Sequence, residues 1–295
     1  MSYIETKEGV KIYYKDWGYG QPILFSHGWP LCSDAWDAQM LFFLEKGYRV
    51  IAHDRRGHGR SSQTFENNTM DQYADDLSAV MEHLDLQDVI LVGHSTGGGE
   101  VTRYCGRHGT SRVAKLVLLN AVPPLMLKTE ANPDGIPMDV FDDIRKHTAE
   151  SRAQYFKDFP DAFYGFNRLT VKKIEGLVDS FWLMGITGGI KSIYDSIKQF
   201  SETDFTDDLK RIDVPTWVCH GEDDQIVPIK ISSEKTAQLI KGAKLTTYPK
   251  ASHGFAQVTP ELFNEGLLNF IEEGAPKKEY ARPTRRPSPE GRPTH

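Results

Sequence analysis

Ser95 stands between two glycines in the segment Gly93-His94-Ser95-Thr96-Gly97, directly after the apolar run 89–92 and before a small-residue helix start. A serine on a sharp strand-to-helix turn needs small neighbours, because the backbone there is crowded and strained. Such a turn presents the hydroxyl as a nucleophile for an acyl carbonyl. The short pattern also occurs by chance, so it is the strand-turn-helix setting that makes Ser95 the predicted nucleophile.

A serine hydroxyl is a weak nucleophile until a base removes its proton, so a histidine should follow Ser95 in the chain. His253 lies in a turn of small residues after the predicted strand 244–248 and is the predicted base. His94 and His220 flank this chemistry at strand ends, where we expect packing roles.

An acid that orients the histidine should follow a strand lying between the serine and the histidine in the chain. The predicted strand 215–220 is followed by Glu222, Asp223 and Asp224. A carboxylate beside an imidazole selects its tautomer and stabilises its cation. Position in the sequence leaves the three acids open as alternatives.

The tetrahedral intermediate of acyl transfer carries an oxyanion that needs two N–H donors. We expect one donor from Thr96, at the positive end of the helix that follows the serine. The other should come from the loop after the predicted strand 22–26, where Gly28 allows a tight turn and Trp29 supplies an N–H. Pro30 has no N–H and would shape the loop and orient the Trp29 carbonyl. An ordinary turn is the alternative for this loop.

The elements that position these residues alternate between strand-like and helix-like runs. This alternation predicts a mostly parallel sheet with helices on both faces. Several strands are continuous apolar runs, as is typical of strands buried on both faces. The predicted strands are 11–17, 22–26, 48–53, 89–92, 113–119, 215–220 and 244–248, with helices over 35–46, 70–84, 97–107, 232–240 and 260–273.

The alternation stops over residues 122–209, a segment rich in aromatic residues and without comparable strands. Because sheet elements resume after it, we predict that this segment is a helical cap inserted into one core formed by 1–121 and 210–275. Its aromatic side chains could be core or could line an apolar acyl pocket. The predicted cap helices are 137–148, 151–159, 169–181 and 190–201.

Two other segments suggest weaker hypotheses. The glycines of 54–61 fit neither the dinucleotide-binding nor the phosphate-loop spacing, so a structural turn with Asp/Arg pairing is favoured. Residues 276–295 are rich in Pro and Arg without apolar periodicity, which predicts a disordered tail. A basic partner-binding segment is the alternative for that tail.

The composition excludes some classes of protein. A net charge of −6 over 295 residues argues against a nucleic-acid binder. No apolar run has the length of a membrane span and no secretory signal is recognised, so we expect a cytoplasmic protein. Cys32, Cys105 and Cys219 are too scattered for a disulfide framework or a zinc site, and are expected to be small buried hydrophobes.

These motifs together resemble the bacterial α/β-hydrolases known as non-heme (cofactor-free) haloperoxidases, arylesterases and perhydrolases, with the related γ-lactamases. The likeness runs from about Tyr3 to Glu272. Its principal marks are Ser26-His27-Gly28-Trp29-Pro30, Asp54-Arg55-Arg56-Gly57, Gly93 to Gly99, Ala121-Val122-Pro123-Pro124-Leu125, Phe163-Tyr164-Gly165, His220-Gly221-Glu222-Asp223-Asp224 and His253-Gly254-Phe255.

The resemblance implies an α/β-hydrolase fold, with an eight-stranded, mostly parallel sheet and a helical cap. It implies a triad of Ser95, Asp224 and His253, which selects Asp224 among the three acids. It also places the oxyanion hole at the N–H groups of Trp29 and Thr96. The pocket lining that it implies consists of Trp29, Val122, Phe163, Ile226 and Phe255.

The function implied by the resemblance is that of a serine esterase working through an acyl-enzyme, with hydrogen peroxide replacing water in a perhydrolase side activity. Many members carry Phe-Ser-Met-Gly at the nucleophile elbow, the strand-to-helix turn that holds the serine. His94-Ser95-Thr96-Gly97 looks more like the γ-lactamase branch. Hydrolysis of a cyclic amide is therefore one alternative, and a non-catalytic ligand receptor on the same fold is another. Ser95 excludes the enzymes of this fold that use an Asp nucleophile.

The expected partners are a small acyl substrate, ester or lactam, and hydrogen peroxide. No cofactor, metal, nucleic acid or membrane is expected, and a homo-oligomer is left open.

Overall fold

The computed structural model describes residues 2–274, so the predicted tail over 276–295 lies outside the described residues. The strands of the described part are β1 (Ser2–Glu5), β2 (Lys11–Trp17), β3 (Pro22–Ser26), β4 (Arg49–His53), β5 (Val89–His94), β6 (Val113–Leu119), β7 (Thr216–Gly221) and β8 (Lys244–Tyr248). They form one eight-stranded sheet in the order β1-β2-β4-β3-β5-β6-β7-β8. Strands β3 to β8 are parallel to one another, and β2 is antiparallel to both β1 and β4. The predicted α/β fold with a mostly parallel sheet is confirmed.

Strand β1 was not expected from the local sequence. It lies at the edge of the sheet and pairs with β2, and of its residues Ile4 alone is buried. A strand with one buried side chain has no apolar run by which to recognise it.

The helices of the described part are α1 (Asp37–Glu45), α2 (Met70–His83), α3 (Thr96–His108), α4 (Met138–Asp158), α5 (Pro160–Phe163), α6 (Glu175–Thr187), α7 (Ile190–Glu202), α8 (Thr206–Lys210), α9 (Ser233–Leu239), α10 (Phe255–Val258) and α11 (Pro260–Glu272). A short 3₁₀ turn, Ser33–Trp36, precedes α1. Within residues 2–274, no helix combines the length and the apolar character that crossing a membrane would require.

Three predicted cap helices differ from the structure. The stretches 137–148 and 151–159 form the single helix α4, which is interrupted by non-helical backbone at Ser151. The helix expected over 169–181 begins later, at Glu175, and Leu169 is fully exposed. The buried side chains of α6 include Val178, Phe181 and Met184, a helical repeat that continues past the predicted end.

Apolar side chains cover both faces of the sheet. On one face, α2, α3 and the helices over 138–202 contribute to a large cluster that includes Leu77, Val101 and Phe181. On the other face, α1 and α11 pack around residues such as Phe43 and Phe263. Cys32, Cys105 and Cys219 are buried and unbridged, as predicted.

A buried carboxylate joins three elements beneath the carboxyl ends of the strands. Glu100, on α3, accepts hydrogen bonds from Arg55 Nε at 2.6 Å and from Ser26 Oγ at 2.9 Å, and its other oxygen lies 2.7 Å from His53 Nε2. All four side chains are buried. Burial raises the pKa of the Glu100 carboxyl, but Arg55 and His53 more than offset this and bring the pKa to about 2.

The charged residues of the turn over 54–61 form ion pairs both within the turn and with neighbouring helices. Asp54 accepts from Arg60 within the turn, as predicted. Arg55 and Arg56 instead pair with Glu100 and Asp76, on α3 and α2. The turn thus connects the sheet to the two helices that cover it.

Replacing Glu100 by Gln should destabilise the protein by about 3–5 kcal/mol, because Arg55 would remain buried without its anion. The free energy of unfolding from urea titration measures this, with Glu273→Gln at the exposed pair with Lys244 as the control. In the wild type, the ionised Glu100 contributes its full share to the free energy of unfolding above its ordinary pKa of 4.5. This contribution is lost as the pH falls toward 2. The variant should therefore lose less stability than the wild type over that interval. Equal stability of variant and wild type at pH 7 would contradict the role given to this carboxylate.

Candidate active site

Ser95 lies between the last residue of β5 and the first residue of α3, with backbone angles φ 55° and ψ −120°. This left-handed conformation is unfavourable for a side chain other than glycine and marks a constrained turn. A Cβ on Gly93 would clash with the carbonyl oxygen of Gly97, and a Cβ on Gly97 would clash with that of Ser26. The two glycines thus allow α3 to approach the sheet closely enough to form the turn.

His253 is paired with one of the three candidate acids. Its Nδ1 lies 2.7 Å from Asp224 Oδ2, and Asp224 Oδ1 accepts the N–H groups of Ile226 and Val227, both at 2.8 Å. Asp223 is instead paired with Arg168 near the surface. The geometry therefore pairs His253 with Asp224.

Asp224 is held in its ionised form. Burial raises the pKa of this carboxyl, but the adjacent His253 and His220 and their hydrogen bonds lower it well below its usual value. With Nδ1 donating to the carboxylate, Nε2 of His253 carries the lone pair. Nε2 is buried and has no hydrogen-bond partner among residues 2–274, and His253 and Ser95 line the same cavity. The imidazole is thus oriented to accept a proton.

Two N–H groups next to Ser95 are free to bind an anion. Thr96 is the first residue of α3, where a helix leaves its N–H groups without intrahelical acceptors. In the described part of the chain, the N–H of Trp29 also has no acceptor. Trp29 and Thr96 line the same cavity as Ser95. The ring of Trp29 donates to the Ile193 carbonyl on α7 at 2.9 Å, which ties this loop to the helices above it.

The loop that carries Trp29 is held by His27 and Arg55. The guanidinium of Arg55 donates to the His27 carbonyl at 2.7 Å, and the Arg55 N–H donates to His27 Nε2 at 3.0 Å. His27 Nδ1 lies 2.9 Å from the Gly28 carbonyl. Burial, and then the charge of Arg55, lowers the pKa of His27 well below its usual value, so the ring is neutral and can donate at one nitrogen and accept at the other.

Asn120, directly after β6, connects the loop of the acid to the loop of the histidine. Its Nδ2 donates to the carbonyls of His253 at 2.7 Å and Ser252 at 3.1 Å, and its Oδ1 accepts the Gly221 N–H at 2.8 Å. Sequence reasoning missed this residue. The available signal was a polar residue that tolerates left-handed backbone, here at φ 43°, placed at the end of an apolar strand.

His94 and His220 are buried, as their expected packing roles require, but each also contacts the paired residues. His94 Nε2 lies 3.0 Å from the His253 carbonyl, and the two rings are 4.8 Å apart. Burial, and then the electrostatic effect of the adjacent His253, lowers the pKa of His94 to about 3, so this ring is neutral. His220 Nε2 lies 3.2 Å from Asp224 Oδ2. Both histidines thus help to hold the acid and the base.

A cavity of about 60 Å³ lies over Ser95. Of the predicted lining residues, Trp29, Val122, Phe163 and Ile226 line it. Phe255 does not: it is part of the cluster on the opposite face of the sheet, packed on Tyr248 and Phe263. Phe255 opens α10, whose buried side faces α11, and the prediction for this residue is corrected. Helices α4 and α7, with Phe159 between α4 and α5, add lining that sequence reasoning missed, namely Val140, Phe141, Ile144, Phe159 and Phe200.

The arrangement supplies the components of acyl transfer. A hydroxyl, an imidazole acceptor held by a carboxylate, and two free N–H groups surround one small, largely apolar space. Low polarity around such a site strengthens each electrostatic interaction with a developing oxyanion.

Comparison with known proteins agrees with this geometry. The family model for the alpha/beta hydrolase fold matches residues 21–256. The chain is 54% identical over 273 residues to a non-heme haloperoxidase of Rhodococcus erythropolis, covering 92% of this chain and 100% of that protein. It is 54% identical over 274 residues to a bifunctional esterase/perhydrolase of Acinetobacter calcoaceticus, covering 92% and 99%. The solved structure of a bromoperoxidase from Bacillus anthracis superposes with a TM-score of 0.87 at 36% identity, covering 90% of this chain and 97% of that one.

Replacing Asn120 by Asp should slow the reaction of Ser95 with a fluorophosphonate by between about tenfold and a hundredfold, because His253 would lose a donor that holds its backbone. Asp tolerates the left-handed backbone, so the fold should persist. The rate constant of covalent labelling, measured by mass spectrometry at constant pH, checks this. Asn269→Asp, at an exposed position on α11, is the control. A labelling rate equal to that of the wild type would show that Asn120 does not position the base.

Proposed function

The chain belongs to the α/β-hydrolase family, in its group of non-heme haloperoxidases and esterase/perhydrolases, and we propose that it hydrolyses carboxylic esters through an acyl-enzyme on Ser95. One observation carries this proposal. His253 is held by Asp224 through Nδ1 at 2.7 Å, its Nε2 has no hydrogen-bond partner among residues 2–274, and His253 and Ser95 line the same cavity. A serine and an imidazole in this relation form the nucleophile and base of covalent acyl transfer.

In the proposed cycle, Ser95 Oγ attacks the ester carbonyl as His253 Nε2 takes its proton. Asp224 stabilises the imidazolium without being protonated itself. The N–H groups of Trp29 and Thr96 donate to the oxyanion. His253 returns the proton to the leaving alcohol, and water then attacks the acyl-enzyme by the same steps in reverse order.

Hydrogen peroxide can take the place of water in the second half of the cycle. One peroxide oxygen attacks the acyl carbonyl, His253 takes the proton, and Ser95 leaves as the peracid forms. The similarity to a non-heme haloperoxidase and to an esterase/perhydrolase supports this side activity. Halide would then be oxidised by the released peracid in solution.

The substrate that the cavity supports is a small, apolar acyl group. The volume of about 60 Å³ holds a few water molecules, and its walls are mainly aliphatic and aromatic. We propose that residues 122–209 act as the cap that closes this space over Ser95. The similarity to these relatives favours ester hydrolysis and perhydrolysis over the γ-lactamase alternative. The pairing of Asp224 with His253 argues against a non-catalytic receptor.

Replacing Ser95 by Ala should lower kcat for p-nitrophenyl acetate by about 10⁴-fold or more, because no other group would form the acyl-enzyme. Initial rates across a pH series measure this, and a burst of p-nitrophenol from the wild type alone would report the acyl-enzyme. Ser78→Ala, on α2 away from the cavity, should retain wild-type kinetics. Substantial turnover by the Ser95 variant would overturn the proposed mechanism.

Replacing Pro30 by Leu should lower the ratio of peracid to carboxylic acid formed from one ester in the presence of hydrogen peroxide. The Trp29 carbonyl has no donor among the described residues, so it is free to accept the remaining hydrogen of the incoming peroxide. Leu would introduce an N–H and release the proline constraint on this loop. Peracid trapping and acid titration on the same sample measure the ratio, which would be unchanged if Pro30 has no part in the choice between peroxide and water.

A further inference from the structure

Met126 places a thioether in the wall of the cavity that contains Ser95 and His253. The residue is 2% exposed, so it is shielded from bulk solvent on its other sides. A thioether is the side-chain group that peroxy compounds convert to a sulfoxide. An oxidisable side chain therefore lines the space in which the proposed reaction takes place.

The backbone around Met126 is anchored on both sides. Its carbonyl accepts the Ile136 N–H at 2.8 Å, and the N–H of the next residue, Leu127, donates to the Ser201 carbonyl on α7 at 2.9 Å. Val122, four residues earlier, lines the same cavity. The loop therefore has little freedom to move the sulfur away from the cavity wall.

We infer that Met126 is a modification site: peracid formed in the cavity oxidises it to methionine sulfoxide and thereby limits the working life of the enzyme. The inference rests on the proposed perhydrolysis, which supplies the oxidant from an ester and hydrogen peroxide. No other oxidant is needed.

The oxidation step balances in atoms and electrons. The sulfur lone pair of Met126 attacks the outer peroxy oxygen, an S–O bond forms and the O–O bond breaks. The electron pair of that bond goes to the inner oxygen, which leaves with the acyl group as a carboxylate. The proton of the outer oxygen passes to this carboxylate, so the products are the sulfoxide and the carboxylic acid. Sulfur is oxidised by two electrons and the peroxy group is reduced by two.

Reaction inside the cavity favours Met126 over more exposed methionines. A peracid released next to the sulfur meets it at a high effective concentration before it can diffuse away. Met138, on α4, is 38% exposed and is not among the residues that line the cavity. Met81, on α2, is fully buried. Oxidation from bulk solution should therefore affect Met138 first, whereas oxidation during turnover should affect Met126 first.

Sulfoxide formation would impair the site itself. It converts a flexible apolar side chain into a polar one with an added oxygen. Among the described residues, the walls around Met126 are mainly apolar, with Val122, Ile136 and Phe200 among them. A polar oxygen without a donor is unfavourable there, and it takes up part of a small cavity. Acylation by apolar esters should slow as a result.

The test compares oxidation during turnover with oxidation from solution, using the full chain. The enzyme is incubated with ethyl acetate and hydrogen peroxide, with excess free methionine to consume peracid that escapes. Peptide mass spectrometry then measures the added oxygen on Met126, Met138 and Met81. We expect Met126 to be oxidised in step with turnover and ahead of Met138, and hydrogen peroxide alone to oxidise Met138 first. Met126 remaining reduced while peracid is produced would overturn the inference.

Variants separate the chemistry from its consequence. Ser95→Ala should lose the turnover-dependent oxidation of Met126. Met126→Leu preserves volume and removes the sulfur, so its activity, normalised to its own starting rate, should decay several-fold more slowly than that of the wild type. Met138→Leu is the matched control and should decay at the wild-type rate. Equal decay of the Met126 variant and the wild type would overturn the claim that this oxidation limits the working life.

Failure of the proposed function would be seen separately. Peracid is measured directly by bromide oxidation in parallel samples without free methionine, and its absence with active ester hydrolysis would refute perhydrolysis. Peracetic acid is then added to the Ser95→Ala variant, so that the oxidant is supplied without turnover. Oxidation of Met126 well ahead of Met81 would support the reactivity of this sulfur, and equal rates would overturn it.

Discussion

The ion pair between Glu100 and Arg55 is the constraint on which the geometry of the site depends. Both side chains are buried, and each charge would be strongly unfavourable without the other. Their pairing requires α3, the end of β3 and the segment after β4 to meet at one point. The same guanidinium holds the carbonyl of His27, at the start of the loop that carries Trp29, while Glu100 lies in the helix that begins at Thr96. The ion pair of Arg55 and Glu100 thus positions the N–H group of Trp29 relative to that of Thr96.

The parallel sheet brings the remaining groups together. Strands β3, β5, β6, β7 and β8 are consecutive in the sheet and end at the same edge. The loop that carries Trp29 follows β3, and Ser95 follows β5. Asp224 follows β7, and His253 follows β8. Between the strands of the nucleophile and the acid lies β6, and Asn120 at its end bonds to the loops of the acid and the base. Each residue comes from a different strand, so the backbone of the sheet sets their spacing.

Sequence reasoning succeeded where the signal is local. Apolar runs and turn residues revealed seven of the strands, and the glycines around Ser95 revealed the elbow because the constraint acts within a few residues. Sequence reasoning failed where the position or role of a side chain depends on partners that are distant in the sequence. Phe255 follows His253 closely, yet α10 directs it to the opposite face of the sheet. Asn120 has only the signal of a polar residue at the end of an apolar strand. The roles of Asn120, His27 and Met126 depend on carbonyls, a guanidinium or a cavity assembled from other elements.

The enclosure of the site has two opposed consequences that follow from the same physics. Apolar walls over Ser95 lower the local polarity, which in the proposed cycle would strengthen the hydrogen bonds from Trp29 and Thr96 to a developing oxyanion. The same walls retain whatever the acyl-enzyme releases for longer than an open cleft would. A retained carboxylic acid does not react with the lining. A retained peracid stays in contact with the lining, in which Met126 is oxidisable. An enclosed cavity therefore favours acyl transfer to water and peroxide alike, but in the second case its own wall is exposed to the product.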